Sequence, residues 1–373
     1  MTSHATTTLE SPLLFEHRAL GATFTDFAGW QMPVKYSSDL SEHHAVRRAA
    51  GVFDISHMGE IVVAGPQAAA LLDYSLVGEL SKIAVGKAKY SLMCESGGGV
   101  IDDLVTYRLS DRQFLVVVNA ANTAAVMTEL TRNASLYDVE VEDRSDDTAL
   151  IAVQGPVSES IVEALVPAPH APVVKQLKYY AIISAVVADI DVQLARTGYT
   201  GEDGFELYVP RRHAISLWRA LLAEGSTHGA VAAGLACRDT LRLEAGMPLY
   251  GHELSLHTNP YEAGLGMMVR LTKEFVGREA LQRISQRPTD RTLVGLKGTG
   301  RRAARAGYRI HHDGADSAIG VVTSGALSPT LGYPIAMAYV ASGLSAPGTE
   351  VTVDIRGSRE TFQIVPLPFY RRG

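Results

Sequence analysis

The chain is poor in cysteine. Cys94 and Cys237 are the only two in 373 residues, and they lie far apart without the spacing of a metal or redox pair. A disulfide framework is excluded, and a reducing compartment fits. No apolar run is long enough to cross a bilayer; Ala181-Ile-Ile-Ser-Ala-Val-Val-Ala has the length of a strand. Positive charge is not in excess: the net charge is −6, which points away from nucleic acid and from anionic membranes as partners. The opening Met-Thr-Ser-His-Ala-Thr-Thr-Thr-Leu-Glu lacks the apolar core of a signal peptide, and no arginine precedes Arg18, as a mitochondrial presequence would require. A short frayed tail and a cytoplasmic protein are expected. There is no tandem repeat, and no low-complexity segment beyond that Thr-rich tail.

What remains is an ordinary globular balance, 46% apolar and 20% charged, in a chain long enough for two or three domains and a large core. Residues 9 to about 50 read as a helix or two around an irregular loop, Asp26-Phe-Ala-Gly-Trp-Gln-Met-Pro, with Gly51 ending a helix and a strand starting near Val52. Strands and helices then alternate: a buried strand at 115–118, a helix at 121–131, and a second strand-then-helix unit from Leu150. Further strands are expected at 182–187 and 192–196, and an amphipathic helix at 213–224 through Ile215, Leu217, Trp218, Leu221 and Leu222. Arg287-Pro-Thr-Asp-Arg is a linker signal. Short strands beyond it, near 292, 308, 319, 335, 351 and 361, are separated by Gly and Pro turns, the pattern of a small antiparallel barrel or sandwich.

Three segments carry residues suited to chemistry. Gly234-Leu-Ala-Cys-Arg-Asp-Thr-Leu-Arg-Leu-Glu-Ala-Gly-Met-Pro reads as a helix stopped by Gly246 and Pro248. Asp239 offsets Arg242 at three apart, whereas Arg238 has no acid at a helical spacing ahead of it and calls for an acid from elsewhere or an electron-rich ligand. The alternative is a solvated, ion-paired helix. In Thr197-Gly-Tyr-Thr-Gly-Glu-Asp-Gly-Phe-Glu-Leu-Tyr-Val, glycines 198, 201 and 204 mark a turn between strands. Phe205, Leu207 and Val209 then share one face, and Glu206 and Tyr208 the other. Such a carboxylate matches a paired N–H donor, a guanidinium or an amino-pyrimidine edge, or else it is solvated on a surface hairpin. Glu95-Ser-Gly-Gly-Gly-Val-Ile-Asp-Asp-Leu lacks the Lys-Ser/Thr ending of a phosphate loop and reads as a hairpin turn. Asp102 and Asp103 face opposite ways on the strand, so one of them can enter a given pocket, unless both are wet at a strand end. Weaker candidates are set aside: His57 is read as structural, Glu42-His43-His44 lacks helical zinc spacing, and Gly264-Leu-Gly-Met-Met lacks the third glycine of a dinucleotide loop. No metal site is expected. The run Arg301-Arg302-Ala-Ala-Arg305 reads as a solvated face.

Together these motifs resemble the aminomethyltransferase (T-protein) family of the glycine cleavage system. The resemblance runs from about Pro12 to Arg371. It includes Phe53-Asp-Ile-Ser-His-Met-Gly-Glu, Gly98-Gly-Val-Ile-Asp-Asp-Leu, Thr197-Gly-Tyr-Thr-Gly-Glu, Phe275-Val-Gly-Arg-Glu-Ala-Leu and Thr323-Ser-Gly-Ala-Leu-Ser-Pro-Thr-Leu-Gly. It implies an α+β fold: a folate-binding body of two intertwined subdomains over 9–286 and a C-terminal antiparallel β-barrel over 287–373. It also implies transfer of the methylene of an aminomethyl group from lipoylated H-protein to tetrahydrofolate, with release of ammonia and formation of 5,10-methylenetetrahydrofolate. By the same resemblance Asp103 is the catalytic acid, Glu206 and Arg238 hold the pterin, and Tyr90, Asn119 and Tyr199 line the pocket. Arg371 reaches the folate site, with Arg372 adjacent in register. Arg301, Arg302 and Arg305 become a docking candidate for an acidic carrier. A related iron–sulfur assembly factor needs a cysteine where this chain has Glu274-Phe-Val-Gly-Arg-Glu. The chain has no room for the flavin domain of the related sarcosine and dimethylglycine dehydrogenases. A folate-dependent demethylase of a small methylated substrate and a non-catalytic folate-binding protein remain as alternatives.

Overall fold

The computed structural model describes residues 8–312 and 317–373. The tail expected to fray, residues 1–7, lies outside the described residues. The chain forms two compact units: residues 1–61, 143–198 and 202–238 build the first, and 62–142, 199–201 and 239–373 the second.

The first unit is organised by a six-stranded sheet. Its spatial order is Ile182–Val187, Ile190–Ala195, Gly204–Pro210, Thr148–Gln154, Gly51–Asp54 and Val231–Ala232. Every pair is antiparallel except the last. Helices Ser158–Leu165 and Ala214–Ser226 pack on each other and on its apolar face. Phe205, Leu207 and Val209 point into that core together with a wholly buried Trp218, as their alternation and helical spacing require. Ile215, expected on the apolar stripe, is instead 39% exposed, because Leu217, Trp218 and Leu221 already cover the sheet.

The segment around Asp26 is no irregular loop. Strands Thr23–Phe27 and Trp30–Lys35 form an antiparallel hairpin. Its turn places Ala28 at φ 53° and Gly29 at φ 84°, two successive left-handed residues that match the twist of the strands. Asp26 Oδ1 accepts from Gly29 N at 3.2 Å, closing the turn. An Ala at the first left-handed position hid this hairpin from turn chemistry. Gly51 is also reassigned. Helix Asp39–Arg48 ends at Ala49, and Gly51 opens the strand Gly51–Asp54, where a Cβ would lie 2.6 Å from Val46 Cγ2.

In the second unit a five-stranded sheet runs Ala88–Cys94, Val100–Ser110, Gln113–Val118, Gly59–Ala64 and Glu140–Asp143, with helices Ala68–Ser75 and Thr123–Ala134 packed together. The Gly97–Gly99 run makes the turn between the first two of these strands. Gly98 has φ 93°, and a Cβ on Gly99 would meet the Leu256 carbonyl oxygen at 2.0 Å. The C-terminal strands close into a six-stranded antiparallel barrel, Arg291–Gly298, Pro334–Ala341, Gly320–Leu327, Arg309–His311, Glu350–Ile355 and Ser358–Val365. Each strand falls where the sequence places it. No described helix is long and apolar enough to cross a membrane.

Helix Leu235–Glu244 carries the chain from the first unit to the second after Arg238. Its start is fixed by Gly234, whose N–H donates to Glu42 Oε2 at 3.0 Å and whose missing side chain admits the Val34 carbonyl; an added Cβ would lie 2.2 Å from that oxygen. Gly234→Ala should therefore destabilise the protein by about 2–3 kcal/mol in urea unfolding. A loss below about 0.5 kcal/mol would show that the two backbones can separate there without cost.

Candidate active site

Asp103 sits mid-strand on Val100–Ser110, half-buried. The antiparallel partner strand pairs Leu92 with Asp103 and Tyr90 with Val105, so Tyr90 is the diagonal neighbour of Asp103. Its hydroxyl donates to Asp103 Oδ2 at 2.8 Å. Asn119 follows the strand on the other side, Gln113–Val118, and its Nδ2 donates to Asp103 Oδ1 at 2.9 Å and to the Asp103 carbonyl at 3.0 Å. Two residues proposed from the sequence, Tyr90 and Asn119, thus converge on the carboxylate of a third. Burial raises the Asp103 carboxyl to about 6, with Glu253 adding to the rise and the bonds from Tyr90 and Asn119 opposing it.

Asp102, the other half of the doublet, is wholly buried rather than wet. Its Oδ2 accepts from Asn119 N at 3.0 Å, and its Oδ1 accepts from Asn119 Nδ2 at 2.8 Å and Asn122 Nδ2 at 2.6 Å. Burial, and then the neighbouring Asp103 charge, raise its carboxyl to about 7. The sequence reading did not place Asp102 and Asn122 in this hydrogen-bonded cluster. The Asp-Asp doublet and the Asn119-Ala-Ala-Asn122 spacing were the available signals. Tyr250 was missed as well: its hydroxyl donates to the Val100 carbonyl at 3.1 Å, and burial with the Asp102 and Asp103 charges raises its phenol.

Elsewhere in the second unit Tyr199 donates to the Pro248 carbonyl. Arg242, wholly buried, is held by Glu253 Oε2 at 2.9 Å, Asp239 Oδ1 at 2.8 Å and Ser324 Oγ at 2.7 Å. Arg371 and Arg372 are both exposed; the preceding Tyr370 N–H bonds the Glu244 carbonyl at 2.8 Å and anchors their segment. Arg301, Arg302 and Arg305 are exposed, with Arg302 3.3 Å from Glu360 and Arg305 donating to the Gly325 carbonyl at 2.9 Å.

In the first unit Glu206 is half-buried on Gly204–Pro210, opposite the core face, and its Oε2 accepts from Thr197 Oγ1 at 2.6 Å. The bend before it needs glycine: a Cβ on Gly198 would strike Gln154 Oε1 at 1.9 Å, and the Gln154 amide is spent on the Thr197 carbonyl at 3.0 Å. Arg238 is half-buried. Burial and the Arg238 charge lower the nearby His57 to about 4. With Phe27 stacked edge-on at 5.2 Å, this is a neutral packed histidine at neutral pH. Glu42 is a backbone clamp, accepting from Tyr36 N, Ser37 N and Gly234 N. Among the described residues no cluster of His, Cys, Asp and Glu could hold a metal ion. Both cysteines are buried, and burial pushes the Cys94 thiol up to about 12.

Two family descriptions cover most of the chain: the GCVT N-terminal domain matches residues 13–273, and the glycine cleavage T-protein C-terminal barrel domain matches 291–371. An aminomethyltransferase of Corynebacterium jeikeium is 53% identical over 95% of this chain and 96% of the relative. One of Saccharopolyspora erythraea is 54% identical over 97% and 98%. The crystal structure of the glycine cleavage system aminomethyltransferase T from Bartonella henselae superposes with a TM-score of 0.90 at 35% identity, covering 97% of this chain and 98% of that one. Such matches define a one-carbon transferase with tetrahydrofolate as co-substrate. More narrowly, the chain belongs to the glycine cleavage system aminomethyltransferase (T-protein) family. The demethylase and binding-protein alternatives give way to that assignment.

The raised acid has a measurable signature. Between the ordinary carboxyl value of 3.8 and about 6, the folded protein keeps a proton on Asp103 that the unfolded chain has lost. Its stabilising contribution is therefore complete below the lower value and is lost as pH rises through the upper one. Asp103→Asn should be as stable as the parent at pH near 4 and more stable by about 1–2 kcal/mol at pH near 8. Equal differences at both pH values in urea unfolding would rule out the raised acid.

Proposed function

We propose that Asp103 is the catalytic carboxylate of the aminomethyl transfer and that Tyr90, Asn119, Tyr199, Glu206, Arg238 and Arg371 hold tetrahydrofolate. The observation that carries this reading is the Tyr90–Asp103–Asn119 cluster, a half-buried carboxyl oriented from both sides by neutral donors. The residue types fit the co-substrate. Glu206 can accept from the paired N–H groups of an amino-pyrimidine, Arg238 can donate to its carbonyl and ring nitrogens, and Asp103 can accept from a ring N–H. An exposed cation at Arg371 suits the anionic glutamate tail.

When bound, tetrahydrofolate supplies the two nitrogens between which the one-carbon unit ends. The protein supplies charge and position. The ionised Asp103 carboxylate, fixed by Tyr90 and Asn119, stabilises positive charge developing beside it and can take up a proton there, since its raised affinity lies near neutral pH. No side chain is required as a covalent nucleophile. We further assign delivery of the aminomethyl group to a lipoylated H-protein, read residues 9–286 as the folate-binding body and 287–373 as a barrel domain, and place the reaction in the cytoplasm. Component status in the glycine cleavage system supports the carrier assignment.

Mixing the purified protein with aminomethyl-loaded H-protein and tetrahydrofolate should release ammonia and methylenetetrahydrofolate in equal amounts. Asp103→Asn should lower turnover by about 10²–10³ with the fold intact. Glu206→Gln should raise the KM for tetrahydrofolate by roughly tenfold, the loss of one charged hydrogen-bond acceptor, while leaving kcat closer to the parent value. Near-normal turnover of Asp103→Asn would refute the catalytic assignment.

A further inference from the structure

Asp102 makes more contacts than burial alone requires. It is completely removed from water, yet it accepts three N–H groups, two of them from Asn119. A buried acid at this cost is retained where its hydrogen bonds impose a geometry. The geometry imposed is that of the Asn119 amide. Its two side-chain N–H bonds are divided among three acceptors, Asp102 Oδ1 at 2.8 Å, Asp103 Oδ1 at 2.9 Å and the Asp103 carbonyl at 3.0 Å. Carboxylate and carbonyl oxygens can only accept, so the nitrogen end of the amide must face them. Its oxygen is turned the other way. Asn122, at 2.6 Å, holds Asp102 in turn, and the backbone N–H of Asn119 bonds the second Asp102 oxygen, so neither the acid nor the amide can rotate without breaking several bonds at once.

We propose that Asp102 is a positioning residue: acting through Asn119, it fixes that amide with its oxygen outward beside the Asp103 carboxylate, so that the pair presents an edge made only of acceptors to the N–H-bearing face of the substrate. The inference rests on the folate reading of Asp103 and Asn119 given above. It explains why an asparagine serves here, since a free amide would present either end. It also couples Asp102 to the charge of Asp103, because the Asn119 N–H is one of the bonds that favour the ionised form of Asp103. The other titratable groups facing Asp103 are Tyr90, Tyr250 and Glu253, and they are unchanged in the variants below.

The test is steady-state kinetics with tetrahydrofolate on the whole enzyme across pH. Asp102→Asn keeps the shape but puts a donor against the Asn119 N–H. It should lower kcat/KM for tetrahydrofolate at least about tenfold, mostly through KM. The acid limb of the profile is read in Asn122→Ala, which keeps the Asp102 acid and should move that limb upward by about half a unit or more as the donor to Asp103 loosens. Adding Asn119→Ala to Asp102→Asn should cost less than about twofold beyond either single change, because both remove one device. Should Asp102→Asn not fold, Asn122→Ala loosens Asp102 from the far side and should give a smaller fall together with that upward shift. Effects of Asp102→Asn and Asn119→Ala that multiply, or an unmoved acid limb in Asn122→Ala, would overturn the proposal. Asp103→Asn run in parallel separates the two readings. If it stays active, the folate assignment itself fails. If it is inactive while Asp102→Asn behaves like the parent, only the positioning role fails.

Discussion

The site depends on one constraint: two consecutive carboxyl groups on a single strand are taken out of water and kept apart in role by one amide. Alternation along Val100–Ser110 sends Asp102 inward and leaves Asp103 half-buried on the other face. Desolvation raises both acids, and among the described residues Asn119 bonds both. A carboxyl so placed titrates near neutral pH, where proton uptake and charge stabilisation are both available to it. The strand pairing that brings Tyr90 diagonal to Asp103 and the turn that brings Asn119 alongside are consequences of sheet register, so the fold and the chemistry share their hydrogen bonds.

Many residues that look chemical turn out to hold backbone. Glu42 ties two loop amides and the start of a helix. Glu244 accepts from Ser328 Oγ, Thr330 N and Thr330 Oγ1, binding the end of helix Leu235–Glu244 to the barrel segment beside it. Asp54 accepts from Ser11, from Ser56 N at 2.9 Å and from His17 at 2.8 Å, and His17 meets the Tyr36 hydroxyl at 2.9 Å. These buried polar clusters resemble relay systems, but their hydrogen-bonding capacity is spent inside the fold. Asp103 differs because it remains half-buried, with one neutral donor on each oxygen.

Much of this was legible beforehand. The six barrel strands, the helix at Ala214–Ser226 and the strand-turn-strand around Gly198–Gly204 follow from periodicity and from glycine and proline punctuation. The Asp26–Pro33 segment did not, because Ala28 occupies a left-handed turn position usually given to Asn or Gly. Ile215 fits the apolar stripe of its helix equally well and yet is exposed, since Leu217, Trp218 and Leu221 suffice to cover the sheet.

The sequence by itself determined the element order, the family motifs and the candidate acids, because these depend on local propensity and on spacing along one strand or helix. It could not say which member of the Asp102–Asp103 doublet is buried, that Asn119 and Asn122 meet the first of them, or that His57 is held neutral beside Arg238. Those outcomes depend on groups from 17 residues to nearly two hundred residues apart, whose desolvation and hydrogen bonds exist only once the strands have paired and the helices have packed over them.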